Sequence, residues 1–281
     1  MKIKKYQLTG LLFILPSFIG VCIFILVPFV DVIRRSFLGG ISEKFVGISN
    51  YKTIFNNTAF RLAGSNTIKF MVVCIPILLV SSLLFANFLI KQGRLGGYLK
   101  MAYLVPMAMP VASVVLLWRV LFDKQGFLNG IINLVGGQGA DWMNSKYAFW
   151  VLVFTYLWKN MGYDVILWMA SLSGISTSIY EAARVDGATE RKIFFSITLP
   201  NLKSTMYTIT VLSILNSFKV FREAYLVAGD YPDQSMYLLQ HIFNNWFREM
   251  SFDKMSAAAV VVAIVICSLV LVLQKTWDSP E

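Results

Sequence analysis

The chain has 281 residues, 57% of them hydrophobic and only 14% charged, with a formal net charge of +10 at pH 7. A mean hydropathy of +0.65 is more apolar surface than a soluble domain of this length can hide, so composition excludes an ordinary soluble enzyme and points to a polytopic membrane protein. In such a protein the basic surplus belongs to loops that face the cytoplasm and anionic lipid, not to a nucleic-acid surface.

The chain opens with Lys2, Lys4 and Lys5 ahead of an apolar run over 11–30. No small-residue cleavage site follows; Asp31-Val32-Ile33-Arg34-Arg35 does, so the run reads as a retained first span and not a signal peptide. It is long enough for the ~20 residues a bilayer needs. A mixed polar loop is expected over 31–66, and a second span over 68–90. A Gly-rich link with Lys91, Arg94 and Lys100 leads to a third span over 101–122, where Pro106 and Pro110 permit a kink. A loop with five glycines (123–147), a fourth span (148–172), a charged segment (173–203) and a fifth span (204–228) follow. A polar loop over 229–254 and a sixth span over 255–274 complete the series. The expected fold is all-α with six transmembrane helices. It divides into an N-terminal helix and exterior loop (1–66), a core of five helices (67–275) and a short cytoplasmic tail (276–281). Lys and Arg are about twice as dense in 1–10, 91–100, 173–203 and 274–281 as in the alternate loops, which places both termini and the charged segment in the cytoplasm.

The segment EAARVDGATERKIFFSITLP, Glu181 to Pro200, is the one long charged stretch between strongly apolar runs. Gly187 divides it into two amphipathic pieces. The first, 178–186, is rich in helix formers and has Ser and Thr ahead of Glu181 as candidate caps. The second starts near Ala188 and is expected to stop at Pro200. A hairpin of this kind, 178–200, has no core of its own to bury and is suited to docking on a soluble partner.

The spacing of Glu181, Ala182, Ala183, Gly187, Ile197, Leu199 and Pro200 resembles the EAA loop of permease subunits in binding-protein-dependent ABC importers, and Asp186-Gly187-Ala188 fits the sugar-importer version. Gly47-Ile48-Ser49-Asn50-Tyr51 and Asn66-Thr67 resemble the GLxNY and NT signposts of sugar permeases, whose bland reading is turn chemistry. The first helix and exterior loop are similar to those of the first member of a maltose/glycerol-phosphate type permease pair. The resemblance implies the type I ABC importer permease fold in a bacterial inner membrane. It implies partners as well: a homologous second permease, two cytoplasmic ATPase subunits and an extracytoplasmic solute-binding protein. In that reading Glu181 offers charge to the ATPase, Ala182 and Ala183 allow close entry into a cleft, and Gly187 makes the turn. Ile197, Leu199 and Pro200 anchor the second piece against the fifth span. The chain departs from the pattern at Arg191, where an aromatic is common, and at Ser204, where a second proline often follows.

No G-x-x-x-x-G-K-[ST] run is present, so ATP and Mg are expected on the partner ATPase and no cofactor on this chain. The single histidine, His241, and three cysteines set in apolar runs offer no metal centre. Six tryptophans (118, 142, 150, 158, 246 and 277) fall near span ends, as in an interfacial belt. Polar residues inside spans are functional candidates. Asn160, Tyr163 and Asp164 share one face of the fourth span, and Asn216, Lys219 and Glu223 form a stripe on the fifth, with Lys219–Glu223 an i, i+4 pair. In resembling permeases sugar contacts come from these two spans, which puts Asn160, Tyr163, Asp164, Asn216 and Ser217 on a candidate substrate path. The same residues serve equally well as interhelical glue or a subunit interface. A secondary transporter driven by an ion gradient is the alternative; it would use Asp164 and Glu223 but leaves the hairpin unexplained.

Overall fold

The computed structural model describes residues 2–40, 43–92 and 94–277; of the expected tail, 278–281 lie outside them. Among the described residues there is no strand, only an isolated bridge between Leu38 and Phe45. Helix α1 runs through Lys2–Val21, a π-helical turn at Cys22–Leu26, and Val27–Ser36. It is followed by α2 (Ser49–Asn56), α3 (Thr58–Lys91), α4 (Arg94–Ala108), α5 (Val111–Phe122), α6 (Phe127–Leu134) and α7 (Ala148–Ser173). Helix α8 (Thr177–Val185) precedes α9, which combines Glu190–Ile193, a π-helical turn at Phe194–Thr198 and Leu199–Asn201. Last come α10 (Lys203–Ser217), a 3₁₀ turn at Phe218–Val220, α11 (Phe221–Ala228), α12 (Leu239–Arg248) and α13 (Phe252–Trp277).

Among the described residues, three helical stretches are long and apolar enough to cross a bilayer: Leu12–Ser36, Thr58–Ile90 and Phe252–Trp277. A fourth exists if Met101–Ala108 and Val111–Leu134 count as one span, although they meet at 101°. The kink expected in the third span is thus a break, with Pro110 in an extended conformation (φ −58°, ψ 142°) capping α5. The other two expected spans are present as helices that composition alone does not qualify. Lys159, Asn160 and Asp164 dilute the apolarity of α7. The fifth is divided at Phe218–Val220 into pieces of 15 and 8 residues. Six spans are compatible with these helices.

The chain forms two compact units, Met1–Arg61 with Phe243–Ser268, and Leu62–Ile242 with Leu269–Glu281. In the first unit, most of the polar loop expected over 31–66 is helical. The side-chain amide of buried Asn50 donates to the carbonyls of Ser36 and Leu38 at 2.9 and 2.8 Å, and the Tyr51 hydroxyl pairs with Ser36 Oγ at 2.7 Å. This Asn-Tyr pair therefore clamps the end of α1, a specific role beyond a turn. Trp246 is buried and stacks on Phe60, with ring centroids 6.0 Å apart, so it is a core residue of this unit and not part of a belt.

In the second unit α7 is the hub. Phe149, Leu152, Val153 and Tyr156 pack on Phe70, Cys74 and Leu78 of α3 and on Val220 and Ala224. Trp168 is fully buried and donates Nε1–H to Ser82 Oγ at 2.9 Å. Trp118 is likewise buried, against Trp158 and Phe154, a second departure from the belt. Helix α4 crosses α7 at Gly162 so closely that a Cβ there would overlap the Tyr103 carbonyl oxygen. Asn66 and Thr67 lie inside α3 and tie it to the segment before α12. Asn66 Nδ2 donates to the carbonyls of Gln234 and Tyr237, and Thr67 Oγ1 accepts from the Leu239 amide at 3.0 Å. His241 is buried at this junction; its Nδ1 accepts from the Leu238 amide at 3.1 Å, and its ring meets that of Phe221 edge to face.

Candidate coupling hairpin and transmembrane cavity

The α8–α9 hairpin explains the spacing of its own motif. Helix α8 closes with the Ala188 amide on the Ala183 carbonyl (2.9 Å) and the Gly187 amide on the Arg184 carbonyl (3.0 Å). These are the two bonds of a Schellman motif, which requires a left-handed residue at the position of Gly187. Gly187 has φ +77° and open space where a Cβ would stand, so the constraint is backbone conformation and not room. Counting back, the second alanine of Glu181-Ala182-Ala183 supplies the carbonyl that the motif closes on. Asp186 is the C-cap residue and its amide bonds the Ala182 carbonyl.

Across the turn, Arg184 Nε donates to Glu190 Oε1 at 2.8 Å, and the carboxylate raises the guanidinium pKa above its usual value. Both groups are exposed, so the bond sets orientation more than stability. Thr189 caps α9 through Oγ1, which accepts from the Lys192 amide. The caps expected ahead of Glu181 do not form. Ser176 takes the N-cap place of α8, but its Oγ pairs with Ser178 Oγ and caps no amide.

Helix α9 ends at Asn201, one residue past the expected stop at Pro200, which lies inside its last turn. The π-helical turn at Phe194–Thr198 widens the helix two residues before the prolyl ring, where an α-turn would drive that ring into the carbonyl of Ser196. The chain then continues through Leu202 into α10. Nor do Ile197, Leu199 and Pro200 anchor the hairpin most deeply. Ile197 and Leu199 are half-buried and Pro200 is exposed, whereas Ile193, Thr198 and Leu202 are buried. Thr198 Oγ1 also bonds the Tyr180 hydroxyl at 3.2 Å, joining the two helices. Glu181, Ala182 and Asp186 are exposed, Ala183 is half-buried, and Val185 at the tip is 88% exposed. The hairpin thus presents two carboxylates and an apolar side chain outward on a turn locked by its own backbone.

The second site is a cavity of about 190 Å³ between α7 and the α10–α11 run, with Met107 and Val111 on its edge. It brings Asn160 and Asn216 together, as the two-stripe reading expects. Tyr163, Asp164 and Ser217 do not line it. Ser217 is buried and turns its hydroxyl back to the Ile214 carbonyl at 2.6 Å. Asp164 is buried, with Oδ2 lacking a hydrogen-bond partner among the described residues.

The expected Lys219–Glu223 pair is also replaced. The 3₁₀ turn at Phe218–Val220 changes the helical phase, so Lys219 Nζ donates to Asn216 Oδ1 at 2.7 Å. Glu223 receives Lys159 Nζ from α7 at 2.6 Å, with side chains only 5% and 19% exposed. Sequence reasoning named Glu223 but not its pairing with Lys159, because the two lie 64 positions apart. The available signal was the rule that a charge inside a span needs an opposite charge from another helix.

Residues 64–279 match the family described as the binding-protein-dependent transport system inner membrane component. The chain belongs to this family. It is 27% identical to the lactose transport system permease protein LacF of Rhizobium radiobacter, over 95% of this chain and 93% of that one. The arabinooligosaccharides transport system permease protein AraP of Bacillus subtilis is 28% identical, over 92% and 86%. The fold is similar to that of a chain in the crystal structure of a bacterial ABC transporter involved in the import of the acidic polysaccharide alginate. That match has a TM-score of 0.81 and 20% identity and covers 98% of this chain and 96% of that one. As a member of this permease family the chain is an inner-membrane transport component of an ABC importer and not an enzyme; ATP is hydrolysed on a separate subunit. The ion-gradient alternative is set aside.

Proposed function

We propose that this permease forms one wall of the path for a carbohydrate and that a homologous second permease forms the other. Two cytoplasmic ATPase subunits engage the hairpins of the pair, and an extracytoplasmic binding protein delivers the solute. Relatives named for lactose and for arabinooligosaccharides support the carbohydrate class. Asn160 and Asn216, facing one cavity, suit a hydroxyl-rich ligand. The observation that carries the coupling role is the Schellman-closed hairpin with Glu181 and Asp186 held outward. ATP-driven closure of the ATPase pair moves the hairpins together, and the permeases alternate between inward- and outward-facing states. The basic density of 1–10 and 173–203 supports cytoplasmic termini.

The test is purification of the tagged chain from gently solubilised membranes, wild type beside Glu181→Lys. Wild type is expected to bring an ATPase and a second permease, and the variant to keep the permease and lose the ATPase. Retention of the ATPase at wild-type level by the variant removes Glu181 from the docking surface.

A further inference from the structure

The cavity between α7 and α10–α11 is unbalanced in charge. Three cations line it, Lys159, Lys219 and Arg222, against one carboxylate, Glu223. That carboxylate is committed to Lys159 at 2.6 Å. Lys219 rests on a neutral partner, the Asn216 amide oxygen at 2.7 Å. Arg222 is exposed and makes no hydrogen bond or ion pair among the described residues. Lys219 and Arg222 are three residues apart and lie on the same side of their run.

Lys219, like Arg222, is exposed within this chain, so neither cation is covered by its own subunit. Lys159 and Asn160 sit at the middle of Ala148–Ser173. Lys219 stands about 5 Å along the axis from the middle of the 203–228 run. An ammonium near the bilayer midplane is expensive unless an anion or a wet cavity faces it. The arrangement is more specific than a generally wet channel, because the amides of Asn160 and Asn216 line the same small space as the unmatched cations.

Resting on the carbohydrate reading above, we infer that the transported solute is an anionic carbohydrate, a sugar carrying a carboxylate, sulfate or phosphate. Asn160 and Asn216 meet its hydroxyls. Lys219 and Arg222 are the specificity-determining residues that meet its acidic group. Substrate entry swaps the neutral amide oxygen of Asn216 for an anionic oxygen, so that Lys219 gains an ion pair in place of an ion–dipole contact. The Lys159–Glu223 pair keeps Glu223 from repelling the incoming anion.

The experiment uses the whole importer with its binding protein in proteoliposomes. ATP-dependent uptake is measured for matched probes: hexose and hexuronate mono-, di- and trisaccharides, a hexose phosphate and a sulfated hexose. Wild type is compared with the Lys219→Gln/Arg222→Gln double variant and with Lys219→Arg and Arg222→Lys. The expected result is uptake of an acidic probe, lowered about tenfold or more in the double variant and largely restored in the charge-conserving variants. Uptake of neutral sugars alone overturns the inference and leaves the carbohydrate reading intact. So does acidic uptake that the double variant leaves unchanged. Loss of the second permease from the purified double variant also overturns it, by assigning the two cations to an acidic residue of the partner. Uptake of no probe in either class brings down both readings together.

Discussion

The Lys159–Glu223 pair gives the sharpest quantitative test of the described packing. The ammonium nitrogen and carboxylate oxygen are 2.6 Å apart, in a place where the glutamate side chain is only 5% exposed. At that distance and an effective dielectric of about 20, the attraction is ~6 kcal/mol before desolvation is subtracted. Much of this is cancelled by the cost of taking both charges out of water, so the pair's net worth against an apolar replacement is near zero. Removing only one member is different, because it strands the other. Lys159→Met is therefore expected to cost ~3–5 kcal/mol, with Glu223 left buried and unpaired. Glu223→Gln leaves Lys159 with a neutral partner and is expected to cost less, since the lysine is more exposed. The double variant Lys159→Met/Glu223→Gln should recover most of the loss. The assay is a double-mutant cycle on thermal unfolding of the detergent-solubilised complex. A coupling energy below about 0.5 kcal/mol, the usual error of additivity, would refute the pairing.

Three further outcomes follow from single positions. Gly162→Ala puts a methyl into the Tyr103 carbonyl oxygen, a contact neither backbone can relieve cheaply; the cost should reach ~3 kcal/mol and show as reduced yield of folded chain. Gly187→Val must hold a β-branched residue at φ +77° and should weaken the hairpin by ~1–3 kcal/mol, whereas Gly187→Asn should cost less and keep the ATPase bound in pull-down. Burial pushes the His241 imidazole down to about 4 from 6.5, against the upward pull of the charge of Asp230. The folded state thus holds His241 neutral while the unfolded chain takes up a proton below pH 6.5, so stability present above 6.5 is lost as pH falls toward 4, by up to ~3 kcal/mol. Melting temperature against pH should lose that component in His241→Asn; an unchanged profile would show that His241 is not the titrating group.

Much of this was legible in the sequence because it is written in local spacing. The interval from Ala183 to Gly187 and Ala188 is the interval of a Schellman closure, so the turn at Gly187 is legible in the sequence. The apolar runs that became α1, α3 and α13 needed only length and composition. What escaped depends on partners distant in sequence or on changes of helical phase. The π-helical turn that lets Pro200 sit inside the last turn of α9 has no simple sequence signature. The Lys219–Glu223 pair read as i, i+4 because the 3₁₀ turn between them was not foreseen. Asn50 and Asn66 read as turn formers, yet they spend their amides on carbonyls 12 to 171 positions away.

The two expected spans that composition fails to qualify are also the two that give the cavity its polar lining, and the coincidence has a physical cause. A helix exposed to lipid on every side must be apolar where it meets the lipid, and Leu12–Ser36, whose most apolar 18-residue stretch has no residue buried within this chain, meets that demand. A helix that lines a path needs groups able to replace water around a polar solute, and each such group lowers its claim to cross a bilayer alone. Helix α7 resolves the conflict by packing. Phe149, Leu152, Val153 and Tyr156 enter the core of the second unit, the Tyr156 hydroxyl is spent on the Ser213 carbonyl at 2.7 Å, and the charge of Lys159 is met by Glu223. Asn160, whose amide also donates to the Tyr156 carbonyl at 2.8 Å, then shares one small cavity with Asn216, Lys219 and Arg222. A span in this chain is polar where neighbouring helices can hold it in place.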